Sequence, residues 1–212
     1  GIHLEYSTDL SIRVQVNDQL PVVQSLASYA GDCNRLAEMT VAGDRFYAFL
    51  GRVDGADCSA PRLTSVNGTT WVATDYFGDP GLIAKFAGKF IAPSHRGFLS
   101  SDNGENFTEI SPSGQRLYAH SGFTRYVTTE TSAWFLSTTG ELVLTMDGAS
   151  FSVVRQGPDW FDGISDGDTM VVLGRAGELA ISRDQGTTFV RSSLIGARDG
   201  LRGIYKYAPG HY

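Results

Sequence analysis

The chain has 212 residues, 42% of them hydrophobic and 19% charged, with a formal net charge of −6. That balance supports a packed core rather than disorder, and scattered cations on an acidic chain lack the basic stripe that binding nucleic-acid phosphates requires. No apolar run approaches the ~18 residues that span a bilayer, so membrane insertion is not expected. The opening, Gly1-Ile2-His3-Leu4-Glu5, does not read as a signal peptide, so any targeting segment is expected to have been removed or to lie outside this chain.

The 25 glycines follow no collagen-like period and point to many tight turns between short strands. Residues 1–16 read as the later strands of a unit. Residues 17–34 do not fit the strand pattern, and Leu20 to Tyr29 reads as a short helix or an extended crossover. Four strand quartets follow. They are 35–41, 45–51, 62–65 and 70–74; then 81–86, 89–93, 97–101 and 106–110; then 123–128, 133–137, 141–145 and 150–155; and finally 161–165, 169–174, 177–182 and 188–191. Residues 201–212 resemble the opening strands of another unit. Two cysteines, Cys33 and Cys58, lie in Gly/Asp-rich loop sequence. Their number fits one disulfide and an extracellular setting, the alternative being two unrelated buried thiols.

A turn motif recurs along the chain. Ser100-Ser-Asp102-Asn-Gly104-Glu-Asn106-Phe107 and Ser182-Arg-Asp184-Gln-Gly186-Thr-Thr188-Phe189 share Ser-x-Asp-x-Gly-x-polar-Phe. Ser65-Val-Asn67-Gly68-Thr-Thr70-Trp71 and Thr145-Met-Asp147-Gly148-Ala-Ser150-Phe151 are one residue shorter, and Ser7 to Val14 is a degraded fifth copy. The aromatics at 71, 107, 151 and 189 stand 36, 44 and 38 residues apart, the length of one four-stranded propeller blade. Each part has a physical role. The Asx side chain accepts bonds from its own turn, the Ser or Thr hydroxyl adds another, Gly supplies positive φ, and the aromatic is buried between sheets.

This pattern resembles the Asp-box (BNR) repeat of sialidase-like β-propellers, with four good copies and one poor one spread over most of the chain. The resemblance implies an all-β fold of about five four-stranded blades in one domain, 1–212, with the 17–34 stretch as an insertion. Pairing of the N- and C-terminal strands would close the ring, the alternative being a fragment of a larger propeller. It also implies that Asp102, Asp147 and Asp184 are structural, on the face opposite the usual binding face. The ligand loops are then 52–62, 94–96, 137–139 and 175–176, with the inter-blade loops 75–79, 111–120 and 157–162.

Candidate ligand residues in these loops and the C-terminal stretch are His95, Arg96, Tyr118, His120, Trp160, His211 and Tyr212, because exposed aromatics and Arg are common hot-spot types. A sialidase needs an arginine triad and a Tyr–Glu pair, and the Arg-Ile-Pro-type motif of that family is absent. Other glycosidases need two spaced carboxylates; Glu38, Asp75, Asp79, Glu130, Asp159 and Asp162 are available, but no pair stands out. The run from Asp162 to Asp168 has oxygen ligands at short spacing without an EF-hand layout, so it reads as a Gly-rich turn, and the four histidines lack metal-ligand spacing. Asn67 and Asn106 match glycosylation sequons within the motif. No cofactor is expected. The sequence therefore predicts a non-enzymatic extracellular recognition module, such as an adhesin, lectin-like or viral host-attachment domain, binding a glycan or protein receptor. A glycoside hydrolase and a scaffold within a larger assembly are the alternatives.

Overall fold

A computed structural model describes residues 2–6, 10–16, 22–51, 62–74, 82–94, 97–110, 122–156, 160–174, 177–193 and 204. The described strands form five antiparallel sheets in chain order. The first is three-stranded: β1 (Ile2–Tyr6), β2 (Ser11–Val16) and β3 (Val22–Ser25). The second is β4 (Arg35–Ala42), β5 (Arg45–Gly51), β6 (Arg62–Ser65) and β7 (Val72–Thr74). The third is β8 (Ala84–Phe86), β9 (Lys89–Ser94), β10 (Gly97–Ser101) and β11 (Thr108–Ile110). The fourth is β12 (Phe123–Thr128), β13 (Ala133–Ser137), β14 (Glu141–Thr145) and β15 (Ser152–Gln156). The fifth is β16 (Trp160–Asp166), β17 (Thr169–Gly174), β18 (Glu178–Ser182) and β19 (Val190–Ser193).

Each strand pairs with the next in sequence, and successive sheets stack face to face. Middle strands of the second, third and fourth sheets therefore touch a neighbouring sheet on both sides. That is why β10 and β13 are buried along their whole length and read as continuous apolar runs rather than alternating ones. The fourth strands β7 and β11 are largely exposed. One hydrophobic cluster fills each interface between consecutive sheets. Leu10, Ile12 and Leu26 meet Leu36, Phe46 and Trp71; Tyr47 and Phe49 meet Phe90 and Phe107. Phe98 stacks on Phe151 at 3.9 Å between the third and fourth sheets, and Trp134 meets Phe189 edge-on at 5.9 Å between the fourth and fifth. The aromatic ending each repeated turn thus packs against the preceding sheet.

The four turns joining third to fourth strands share one wiring. A Ser or Thr hydroxyl donates to an Asx side chain and accepts the glycine N–H: Ser65 to Asn67 and from Gly68, Ser101 to Asn103 and from Gly104, Thr145 to Asp147 and from Gly148, Ser182 to Asp184 and from Gly186. The Asx oxygen accepts a later backbone N–H of the turn, from Thr70, Asn106, Ser150 and Thr188, at 2.7–3.0 Å. Glycine is needed twice over at 186. Its φ is +91°, and a Cβ there would overlap the Trp134 ring of the preceding sheet.

Three expectations are corrected. In the third sheet the turn runs from Ser101 through Asn103, not from Ser100 through Asp102: Ser101 pairs with Phe90 in the ladder, so the turn begins one residue later. Asp102 is exposed and its Oδ1 accepts from Lys89 Nζ at 2.8 Å. The degraded copy from Ser7 to Val14 falls on the β1–β2 connection and runs into β2; because β3 follows β2 in the same sheet, that connection does not join a third strand to a fourth as the other motif turns do. Within 17–34, Val22–Ser25 forms a strand of the first sheet, followed by a single 3-10 turn at Ala27–Tyr29. Cys33 is buried, while Cys58 lies outside the described residues.

Candidate functional site

In an up-and-down sheet, connections alternate between its two ends. At one end lie the short first-to-second-strand turns and the four self-bonded motif turns. At the other lie the second-to-third-strand and inter-sheet connections, including 52–61, 75–81 and 111–121, which are outside the described residues. The two ends are called the turn end and the loop end.

The first strand of each four-stranded sheet starts at the loop end, and three of them carry a bulge near that start. Pairing skips Ala37 in β4, Thr124 in β12 and Phe161 in β16. The residue after each bulge is charged and faces the same partner position: Glu38 opposite Phe49, Arg125 opposite Leu136, Asp162 opposite Leu173. Three charges thus occupy equivalent positions on three first strands. Burial alone pushes the Glu38 carboxyl above its ordinary range.

Asp162 is the most occupied of them. Its Oδ1 accepts from Arg125 Nε and from its neighbour Gly163 N–H, both at 2.9 Å, and its Oδ2 accepts the Ile204 N–H at 2.8 Å. The Asp162 side chain is 10% exposed and that of Arg125 53%. A carboxylate engaged on both oxygens by a cation and two backbone amides is an anchor. It ties β12, β16 and the C-terminal segment at Ile204 together. On the opposite side Tyr126 of β12 donates to the Val41 carbonyl of β4 at 3.4 Å, reaching across the short β8; burial raises its phenol.

Trp160 is 0% exposed and packs with Val127, Trp134 and Met170. Its ring belongs to the core between the fourth and fifth sheets, not to a loop surface, because β16 already begins at this residue. His95, Arg96, Tyr118, His120, His211 and Tyr212 lie outside the described residues, as do Asp75, Asp79 and Asp159. The connections holding His95 and Arg96, and Tyr118 and His120, join strand ends at the loop end. Of the described carboxylate candidates, Glu130 is exposed in the β12–β13 turn, at the opposite end from Glu38 and Asp162. Among the described residues, no group of three or more His, Cys, Asp or Glu is arranged to hold a metal ion. Arg125 escapes sequence reading, although the openings Leu36-Ala-Glu38, Phe123-Thr-Arg125 and Trp160-Phe-Asp162 share an apolar-x-charged signature that could have exposed it.

No protein-family model matches the sequence, and no curated protein does. Solved structures are similar in fold. Virginiamycin B lyase from Staphylococcus aureus aligns with a TM-score of 0.62 at 7% identity, covering 92% of this chain and 67% of that chain. AztD from Citrobacter koseri aligns at 0.61 and 10% identity, covering 91% and 57%. Prp20p from Saccharomyces cerevisiae aligns at 0.54 and 8% identity, covering 89% and 60%. The five stacked antiparallel sheets are therefore those of a β-propeller protein. The chain spans 57% of the length of AztD and 60% of that of Prp20p.

Proposed function

We propose that this chain is a non-enzymatic recognition module, exposed outside the cell or on a surface appendage or virion, that binds a glycan or protein receptor at its loop end. The observation carrying this reading is the division of labour between the two ends. The turn end is closed by short turns that satisfy their own hydrogen bonds, whereas the loop end carries connections of up to 12 residues between strands of the scaffold, the usual placement of binding residues. The fold itself is neutral between activities: it serves a lyase in Staphylococcus aureus and, in Prp20p, a protein described by its binding to Gsp1p and histones.

The hydrolase reading is weaker because Asp162, the buried carboxylate among the described candidates, is committed to Arg125, Gly163 and Ile204. In the recognition reading His95, Arg96, Tyr118, His120, His211 and Tyr212 supply ligand contacts, and Trp160 supports them from below. The four motif turns are Asp boxes. Residues 1–212 form one domain of five blades, closed by C-terminal residues completing the first sheet. Cys33 and Cys58 form a bridge tying the segment after β3 to the β5–β6 connection. Intact mass before and after reduction tests the bridge: a gain of about 2 Da in a non-alkylating reductant supports it, and no change removes it.

The functional test is a glycan-array screen of the purified chain, with label-free confirmation of any hit. Binding without turnover that is lost in His95→Ala/Arg96→Ala supports the reading. Turnover of a bound glycan overturns it in favour of the hydrolase, and absence of glycan binding directs the search to protein receptors.

A further inference from the structure

A groove of about 670 Å³ opens between the fourth and fifth sheets at the turn end. Trp134, Leu144 and Met146 line one side; Asp168, Arg183 and Asp184 are among those on the other. The groove owes its form to the one described turn with an extra residue, Gln185, which adopts φ 56°. The Gln185 backbone N–H donates to the Asp168 carbonyl at 2.8 Å and its Nε2 to Asp168 Oδ1 at 2.6 Å. Its Oε1 accepts from the hydroxyls of Thr129, at 3.3 Å, and Thr131. The facing turns of the two sheets are thereby tied, and the groove is pre-formed rather than dependent on a ligand.

Charge separates this part of the turn end from the rest. At the second and third sheets, carboxylates are neutralised within the fold: Glu105 by Arg45 at 3.0 Å, Asp102 by Lys89 at 2.8 Å, and Asp44 by Lys85. At the fourth and fifth sheets, Glu130, Asp147, Asp168 and Asp184 are exposed, and Arg183 is the exposed cation among the described residues of these turns. Beside them Met146 is 67% exposed, and its thioether gives the groove an adaptable apolar lip.

We propose that this groove docks an extended basic segment of a protein partner. An aliphatic Lys or Arg stem would lie along Leu144 and Met146 with its charged head between Asp168 and Asp184, the division that such amphipathic side chains favour. The volume suits a few side chains. The site lies at the opposite end from the proposed receptor face and does not depend on it, so a partner held here leaves the loop end free.

The test is fluorescence anisotropy with a labelled twelve-residue peptide alternating Lys and Leu, and a control alternating Glu and Leu, on the full chain near physiological salt. Saturable binding of the Lys peptide is expected, without binding of the Glu peptide. Asp168→Asn and Met146→Ser should each weaken it by about fivefold or more, whereas Asp102→Asn should leave it within about twofold. Amide exchange at Gln185 and Thr187 should slow when the peptide is added. No binding overturns the proposal, and so does equal weakening by all three variants, which would mean diffuse attraction to an acidic surface. Met146 is exposed, so Met146→Ser keeps the test usable where Asp168→Asn disturbs the turn.

Discussion

Asp147 and Asp184 hold their turns as carboxylates, and both carboxyls are held down to about 2. The backbone N–H groups of Ser150 and Ala149 lead at Asp147, and the hydroxyl and N–H of Thr188 lead at Asp184. An unfolded Asp titrates at ~3.9, so the folded form binds protons less readily. The stabilisation from these two turns is therefore complete above about pH 4 and fades as the pH falls towards 2. Asn67 and Asn103 do the same work in their turns without titrating. Replacing Asp147 and Asp184 together by Asn should flatten the fall in melting temperature between pH 4 and pH 2; an unchanged slope would show that these carboxylates do not drive it. In the third sheet, Asn103→Ala should cost roughly 0.5–2 kcal/mol, comparable to losing a side-chain cap on backbone N–H groups. Asp102→Ala, which loses an exposed ion pair, should stay within about 0.5 kcal/mol. Denaturant unfolding of the two variants distinguishes them, and the reverse order would restore the Asp102 assignment.

At the scale of the element, the motif turn belongs to two sheets at once. It closes its own hairpin, and its glycine receives a side chain from the preceding sheet. Tyr47 donates to the Gly104 carbonyl at 3.0 Å, Ile91 lies against Gly148, and Trp134 lies against Gly186. Gly88, in the short β8–β9 turn, also has positive φ, at +77°, but nothing lies within 4 Å of where a Cβ would stand. Gly88→Ala should therefore cost only left-handed strain, roughly 1–2 kcal/mol. Gly186→Ala should add overpacking against Trp134, a further ~1–3 kcal/mol. Equal losses of stability in the two variants would mean that the Trp134 ring moves aside freely.

At the scale of the whole molecule, consecutive sheets are joined, among the described residues, by four hydrophobic interfaces and by a few long-range polar ties. Asp162 is the most consequential tie, because its two oxygens reach β12 and residue 204. Asp162→Ala removes the acceptor for the Ile204 N–H. Amide exchange at Ile204 should accelerate by about tenfold or more, while core amides of β13 keep their protection. The cost to global stability should be about 1–3 kcal/mol, the lower part of that range being favoured because Arg125 is half exposed and regains water. Unchanged exchange at Ile204 would mean that other contacts hold the C-terminal segment.

The strands legible in the sequence are those bounded by glycine turns and filled by apolar runs. Arg45–Gly51, Gly97–Ser101, Ala133–Ser137 and Thr169–Gly174 coincide residue for residue with expectation. The turn motif was legible because its bonds are local: hydroxyl, Asx and glycine lie within five residues of one another and need no partner sheet. Other features depend on what lies across a ladder or an interface. Ser100 and Ser101 are both plausible starts for a turn, and pairing with Phe90 selects Ser101. Val22–Ser25 is too short to announce itself and becomes a strand by pairing with β2. Trp160 follows Gly157-Pro158-Asp159 and reads as a loop ring, yet the bulge at Phe161 brings it into a buried strand. Arg125 and Asp162, 37 positions apart, meet only because two first strands pack side by side. Local hydrogen bonding and apolar runs can be read along one chain, whereas register, burial and charge pairing arise between segments that only tertiary packing brings together.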